Sequence, residues 1–169
     1  MPDDANLAER VRLIHRYADR HEAVPMNHTT ARIGPAAGTY VDPVAHFSRL
    51  TMVVLDVPAS DHDRELSFWE AALGQPLTRL DYPEYHGTQL HGQDFGLLVQ
   101  RLGGGPARVH LDVHTDDLAA EVDRLERLGA ERVQLVRSWQ VMRDPAGLLF
   151  CVVPDPPGTL SEDNARRWE

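Results

Sequence analysis

The apolar and polar positions of this chain repeat one pattern twice. Val53-Val54-Leu55-Asp56-Val57 leads into Leu66, Trp69 and Leu73, which fall at helical spacing and end at Gly74. Val109-His110-Leu111-Asp112-Val113 leads into Leu118, Val122, Leu125 and Leu128, ending at Gly129. In the first copy the pattern predicts a strand over 50–55, a helix capped by Ser60 with Asp63 three residues on, and strands over 77–82, 86–91 and 95–102. Pro83, Gly87 and Gly92 separate these strands, and residues 103–106 (Gly-Gly-Gly-Pro) link the copies. The second copy predicts a strand over 108–114, a helix capped by Thr115 or Asp116 with Leu128 on its inward face, and strands over 132–137, 139–143 and 148–153. The last two of these turn at Asp144-Pro145-Ala146-Gly147. The copies also end alike, Gly96-Leu-Leu-Val-Gln100 against Gly147-Leu-Leu-Phe-Cys151. The expected fold is α+β: paired βαβββ units forming a cup-shaped mixed sheet, with any site where the copies meet.

Outside the repeat, Leu7, Val11, Ile14 and Tyr17 predict an amphipathic helix over 4–22, ended by Pro25. Residues 26–47 read as loop with one short strand over 30–33. The chain thus divides into an N-terminal helix and loop extension (1–47), a cup domain (48–156) and a Pro- and charge-rich C-terminal tail (157–169) that hugs the surface or frays. The extension has three possible places: packed on the cup, over it as a lid, or around a second subunit.

Composition narrows the function. A net charge of −9 and a pI near 5.4 argue against nucleic acid or an anionic membrane as partner. All 17 basic residues are arginine, so no lysine can form a Schiff base. Cys151 is the sole cysteine, which rules out an intramolecular disulfide and a cysteine-only zinc site. No apolar run approaches the ~18 residues of a membrane span, and the N-terminus carries charges where a signal peptide needs an apolar stretch. A cytoplasmic protein is expected, in which the Asn27-His28-Thr29 sequon carries no weight.

The element order, with HLDVHTDDL (110–118), LGA (128–130) and DPAGLLFCVV (144–153), resembles the vicinal oxygen chelate superfamily of glyoxalases, bleomycin-resistance proteins and extradiol dioxygenases. It is particularly similar to small glyoxalase-like proteins common in actinobacteria. The resemblance covers about residues 49–155 and leaves the first 48 unaccounted for. It implies a cup that often pairs into a homodimer, and a divalent metal held by residues of the first and last strands of each unit. Carried over by position, the metal ligands here would be His110, Gln100 and Cys151, where Cys151 replaces the usual Glu. The matching first-strand positions, Thr51 to Val54, include no good metal donor. The set lacks a carboxylate and a fourth donor, so no cofactor is expected.

Alternation along the strand places His110, Asp112 and His114 on one face, together with Met52, Val54 and Asp56 of the first copy. His110 with Asp112 is a workable acid/base pair. The competing reading puts Asp112 and His114 at the strand's wet end, bonded to loops, and is preferred for His114. Tyr82, Tyr85, His86, Trp139, Met142, Arg143 and Cys151 are candidate ligand-binding residues, aromatic and thioether groups suiting a flat apolar molecule and arginine a carboxylate. Within LLFCVV, Cys151 reads as buried rather than nucleophilic, and His62 with Asp63 reads as capping and solvent-facing. The expectation is a metal-independent cup that binds a small, partly apolar organic ligand and acts on it through His110 and Asp112 by isomerisation, dehydration or cyclisation. The alternatives are a non-catalytic drug-sequestering protein and a metal-dependent lyase or dioxygenase.

Overall fold

Strand β1 (His46–Pro58) runs through the middle of the sheet in the computed structural model, which describes residues 45–80 and 82–169. The helix expected over 4–22 and the strand over 30–33 lie outside the described residues. The first unit continues with α1 (His62–Leu73), β2 (Thr78–Arg79), β3 (Tyr85–Gln89) and β4 (Gly96–Leu102). The second comprises β5 (Arg108–Thr115), α2 (Leu118–Arg127), β6 (Glu131–Val136), β7 (Trp139–Arg143) and β8 (Leu149–Pro154), followed by β9 (Arg166–Trp168). The strands form one mixed sheet in the order β2-β3-β4-β1-β5-β8-β7-β6, with β9 added to β1. Within each unit the first strand runs parallel to the last, β1 with β4 and β5 with β8, and the units join through antiparallel β1 and β5. The predicted α+β fold of two βαβββ units is what the chain adopts. No helix of the described residues is long and apolar enough to cross a membrane.

Three apolar clusters hold the sheet. Val57, Leu77, Leu97 and Val99 pack under α1 with Leu66, Trp69 and Leu73. Val122, Met142 and Val152 pack under α2 with Leu118 and Leu125. The third cluster, Met52, Val54, Tyr85 and Leu98, lies on the opposite face of the first unit. Complete burial of an aliphatic side chain contributes roughly 1.5–3 kcal/mol, so the periodic stripes read from the sequence are the main stabilisers of both helices.

Several details depart from the sequence reading. The N-cap of α1 is Asp61, not Ser60, and its side chain makes no cap bond. The N-cap of α2 is Asp117, whose carboxylate accepts the Ala120 N–H, while the Thr115 hydroxyl donates to the Phe47 carbonyl. Leu128 is the C-cap residue and 65% exposed, because the helix stops before its side chain can turn inward. Strand β1 starts earlier than expected. A register shift at Thr51 swaps the faces: His46 and Ser48 point to buried Glu121 on α2, whereas Met52 and Asp56 line the cup. β4 pairs only from Met52 onward, so that edge of β1 is open over His46–Ser48, and β9 takes it. Trp168 then donates its indole N–H to Ser48 Oγ at 2.7 Å and lies under the Arg124 guanidinium, 3.9 Å from ring centre to Cζ.

Candidate functional site

The face of the sheet away from both helices encloses a cavity of about 390 Å³. Its walls are mostly apolar: Met52, Leu80, Leu98, Val141, Phe150 and Val153 among others, with Trp139 and Tyr85 contributing rings. The polar groups gather on β5 and its neighbours, namely Arg108, His110, Asp112, His114, Asp56 on β1, Gln100 on β4 and Cys151 on β8. An apolar pocket with a few convergent polar groups is the usual form of a small-molecule site.

Sheet register explains the convergence. The repeat VVLDV/VHLDV makes Val54 the counterpart of His110 and Asp56 the counterpart of Asp112. Val54 and His110 are also direct cross-strand partners, so the local twofold axis between the units passes through this pair. Met52 lies opposite Asp112, Asp56 lies opposite Arg108, and Asp112 pairs with Cys151 in β8. His110 therefore sits between two related aspartates. Its Nδ1 is 3.0 Å from Asp56 Oδ2 and its Nε2 is 3.4 Å from Asp112 Oδ1. The second contact is an ion pair without hydrogen-bond alignment, since Asp112 Oδ1, like Asp56 Oδ1, is buried without a hydrogen-bond partner. Arg108 Nε donates to Asp56 Oδ2 at 2.8 Å.

Burial opposes a charge on His110, but the contacts with Asp112, Asp56 and Cys151 and the charge of Asp112 outweigh it, raising the pKa to about 12. Burial pushes the Cys151 thiol up, with His110 opposing. Burial also pushes the Tyr85 phenol up to about 12, against the pull of Arg137. Both groups are neutral at physiological pH. Among the described residues, His110, Asp112 and Cys151 are the side chains of metal-binding type that come together, their donor atoms all within 4.8 Å of one another.

Of the residues singled out in the sequence, the fold brings His110, Asp112, Cys151, Gln100, Tyr85 and Trp139 to the cup. Tyr82 stands beside it, edge-on to Tyr85 at 6.0 Å and under Arg137 at 3.8 Å. Three candidates lie elsewhere. His86 follows Tyr85 and so faces the other side of β3, where its ring meets His62 at 5.1 Å. His62 is not solvent-facing as expected but 3% exposed. Met142 is three residues from Trp139 and therefore on the opposite face of β7, fully buried beneath α2. Arg143 lies at the sheet edge, 3.4 Å from Glu131. His114 is buried with its Nδ1 2.8 Å from Asp155 Oδ1, which ties the end of β5 to the start of the C-terminal segment. Asp56 was placed on the cup face by alternation but given no role, although it is the repeat counterpart of Asp112, and Arg108 was not singled out.

No curated protein matches the chain. Among solved structures it is similar to methylmalonyl-CoA epimerase from Mycobacterium tuberculosis, at 16% identity and TM-score 0.46, covering 64% of this chain and 88% of that one. It is similar to a glyoxalase/bleomycin resistance protein/dioxygenase superfamily member from Vibrio splendidus 12B01 at 18% identity and TM-score 0.41, covering 63% and 100%. It is also similar to homoprotocatechuate 2,3-dioxygenase from Brevibacterium fuscum at 16% identity and TM-score 0.46, covering 76% of this chain and 40% of that one. The sequence model of the glyoxalase-like domain matches residues 52–153, the span of both βαβββ units, and the chain belongs to that family.

Proposed function

We propose that the cup binds a small, partly apolar carbonyl compound and moves a proton at the carbon next to the carbonyl, without a metal. The observation that carries this reading is the adjacency of a carboxylate, Asp112, and a histidine ring, His110, on the floor of an apolar cavity. Asp112 keeps 13% of its side chain exposed and His110 12%. Asp112 takes the proton, the C–H electron pair becomes the double bond of an enolate, and the carbonyl oxygen gains the negative charge beside the His110 ring. Return of the proton from Asp112 to another carbon of the enolate isomerises the molecule. Where the substrate carries a hydroxyl β to the carbonyl, that hydroxyl instead takes the Asp112 proton and leaves as water while the carbonyl re-forms. The apolar walls exclude water, which strengthens the attraction between oxyanion and imidazolium.

The donor set does not fit a divalent ion. Both His110 ring nitrogens face carboxylates, 3.0 Å from Asp56 and 3.4 Å from Asp112, and among the described residues only Asp112 and Cys151 join the ring as donors. The β1 side of the cup adds Met52 and Val54, and its Asp56 is already bonded to Arg108 and His110.

A second reading, a sequestering protein that binds without turnover, is favoured by the rim. Arg137 spans Tyr82 at 3.8 Å and Trp139 at 5.8 Å, a flat cationic and aromatic surface suited to a planar ligand. One experiment separates the two: deuterium incorporation from D₂O into cyclic and aromatic ketones and 2-oxo acids, followed by NMR. Catalysed exchange that falls about 100-fold or more in Asp112→Asn supports proton transfer, as expected for loss of a general base. Ligands that raise the melting temperature yet never exchange establish the sequestering reading instead.

A further inference from the structure

We propose that Arg108 anchors a ligand carboxylate, and that the cup takes 2-oxo monocarboxylic acids with an apolar tail. This rests on the carbonyl reading above and adds the substrate class and the residue that selects it.

Among the described residues Arg108 is the arginine that lines the cavity. It opens β5, half exposed, and donates Nε–H to Asp56 Oδ2 at 2.8 Å. A guanidinium carries five N–H donors in a rigid fork. The single bond to Asp56, itself 1% exposed, fixes that fork, and the other four N–H groups have no partner among the described residues. Arg137 on the rim is differently engaged, stacked on Tyr82 at 3.8 Å and 3.5 Å from Glu84. Arg108 is thus the fork open to a carboxylate, which it can take through two parallel N–H···O bonds.

Strand order fixes what must be attached to that carboxylate. Alternation puts Arg108, His110 and Asp112 in sequence along the cup face of β5. Their ends are drawn together. Arg108 Nε and His110 Nδ1 meet the same Asp56 oxygen, at 2.8 and 3.0 Å, and His110 Nε2 lies 3.4 Å from Asp112 Oδ1. A 2-oxo acid presents carboxylate, carbonyl and C–H in the same order. With its carboxylate on Arg108, the carbonyl falls beside the His110 ring and the C–H beside Asp112. A 3-oxo acid exchanges the last two groups and would press its carbonyl oxygen against the Asp112 carboxylate. Beside Asp112 the sheet continues through Cys151 to Val141, so the tail meets Val141, Phe150 and Trp139. A dicarboxylate fits poorly, because its second charge is repelled by Asp112.

The test is isothermal calorimetry of the full chain at pH 7 with 3-phenyl-2-oxopropanoate, its methyl ester, 3-oxo-3-phenylpropanoate and 2-oxopentanedioate. The first is expected to bind about tenfold or more tighter than each of the others, the worth of one charge-assisted contact. Arg108→Gln is expected to abolish its preference over the ester, with ester affinity unchanged. Arg108→Lys is expected to keep part of that preference, since lysine supplies charge without the fork. Acid and ester bound alike by wild-type protein, or a preference that survives in Arg108→Gln, overturns the proposal. So does a 3-oxo acid or dicarboxylate bound as tightly as the 2-oxo acid, or a 2-oxo acid that fails to bind at millimolar concentration. The wild-type comparison decides even where a variant fails to fold. Binding alone is read here: an acid preference without deuterium exchange sinks only the proposed reaction, and exchange into neutral ketones without an acid preference sinks only the anchor.

Discussion

The two halves of the sheet share a five-residue stretch of their first strands that differs only at its second residue, Val54 in one and His110 in the other. In the first half the cup face is closed by Met52, Val54, Tyr85 and Leu98. In the second it presents His110, Asp112 and Cys151. Because Val54 and His110 are cross-strand partners, their Cβ atoms lie about 5 Å apart, and the apolar copy walls in the polar one. Duplication gives the scaffold two related aspartates, and a single histidine placed on the axis uses both. A site of this kind is asymmetric in chemistry and symmetric in support, with charge strengthened by the low-dielectric neighbour.

The largest effect should come from erasing that difference. His110→Val makes the axis apolar on both sides but strands Asp56 and Asp112, leaving Arg108 as the one cation still bonded to Asp56. Breaking a buried ion pair from one side typically costs about 3–5 kcal/mol, and urea denaturation at pH 7 should show a loss of that order. Adding Asp56→Asn and Asp112→Asn to the same chain should recover much of it, since the stranded charges are then gone. A loss below about 1 kcal/mol in the single variant would mean that water, not His110, compensates the carboxylates.

The glycines at the ends of the halves sharpen the comparison at smaller magnitude. Gly96 and Gly147 are sequence counterparts, yet they are glycine for different reasons. A Cβ at Gly96 would meet Met52 Sδ at 2.5 Å and the Thr88 carbonyl oxygen at 2.8 Å, whereas Gly147 has open space and φ of +95° in a turn. Gly96→Ala should therefore cost about 1–3 kcal/mol by overpacking and disturb the cup through Met52. Gly147→Ala should cost about 1–2 kcal/mol of backbone strain with ligand affinity unchanged. Denaturation curves and ligand titration of both variants would check this. Equal disturbance of the cup by both would refute the distinction.

That pair shows why some of the molecule was legible in the sequence and some was not. The repeat and its two helices were readable because apolar spacing is local and was written twice. The His110 and Asp112 pair was readable from strand parity. Parity also shows where the reading slipped: Tyr85 with His86, and Trp139 with Met142, cannot share a face of a regular strand, so His86 and Met142 belong to the helix side. Asp56 needed the repeat and parity together. Strand β9 had no local signal, since Arg166, Arg167 and Trp168 become a strand only because β4 stops short and leaves the edge of β1 open.

The two halves should also lose stability in opposite directions of pH. In the first half His86 is pushed below its ordinary value of 6.5, by burial first and by the neighbouring His62 and Arg79 next. A depressed histidine stabilises the fold above its unfolded pKa, and that stability is lost as pH falls below 6.5 and the ring is forced to take up a proton. In the second half His110 is raised from 6.5 to about 12. Its contribution is complete below 6.5 and declines as pH rises from there towards about 12, because the unfolded chain releases a proton that the folded one keeps. Melting temperature against pH should therefore fall on the acid side through His86 and on the alkaline side through His110. His86→Phe should flatten the acid limb alone, since its partner His62 then faces an uncharged ring. In the His110→Val, Asp56→Asn, Asp112→Asn chain the alkaline limb should flatten and the acid limb persist. An alkaline limb that survives intact in that triple variant would show that the proton held by the folded protein is not on the axis between the halves.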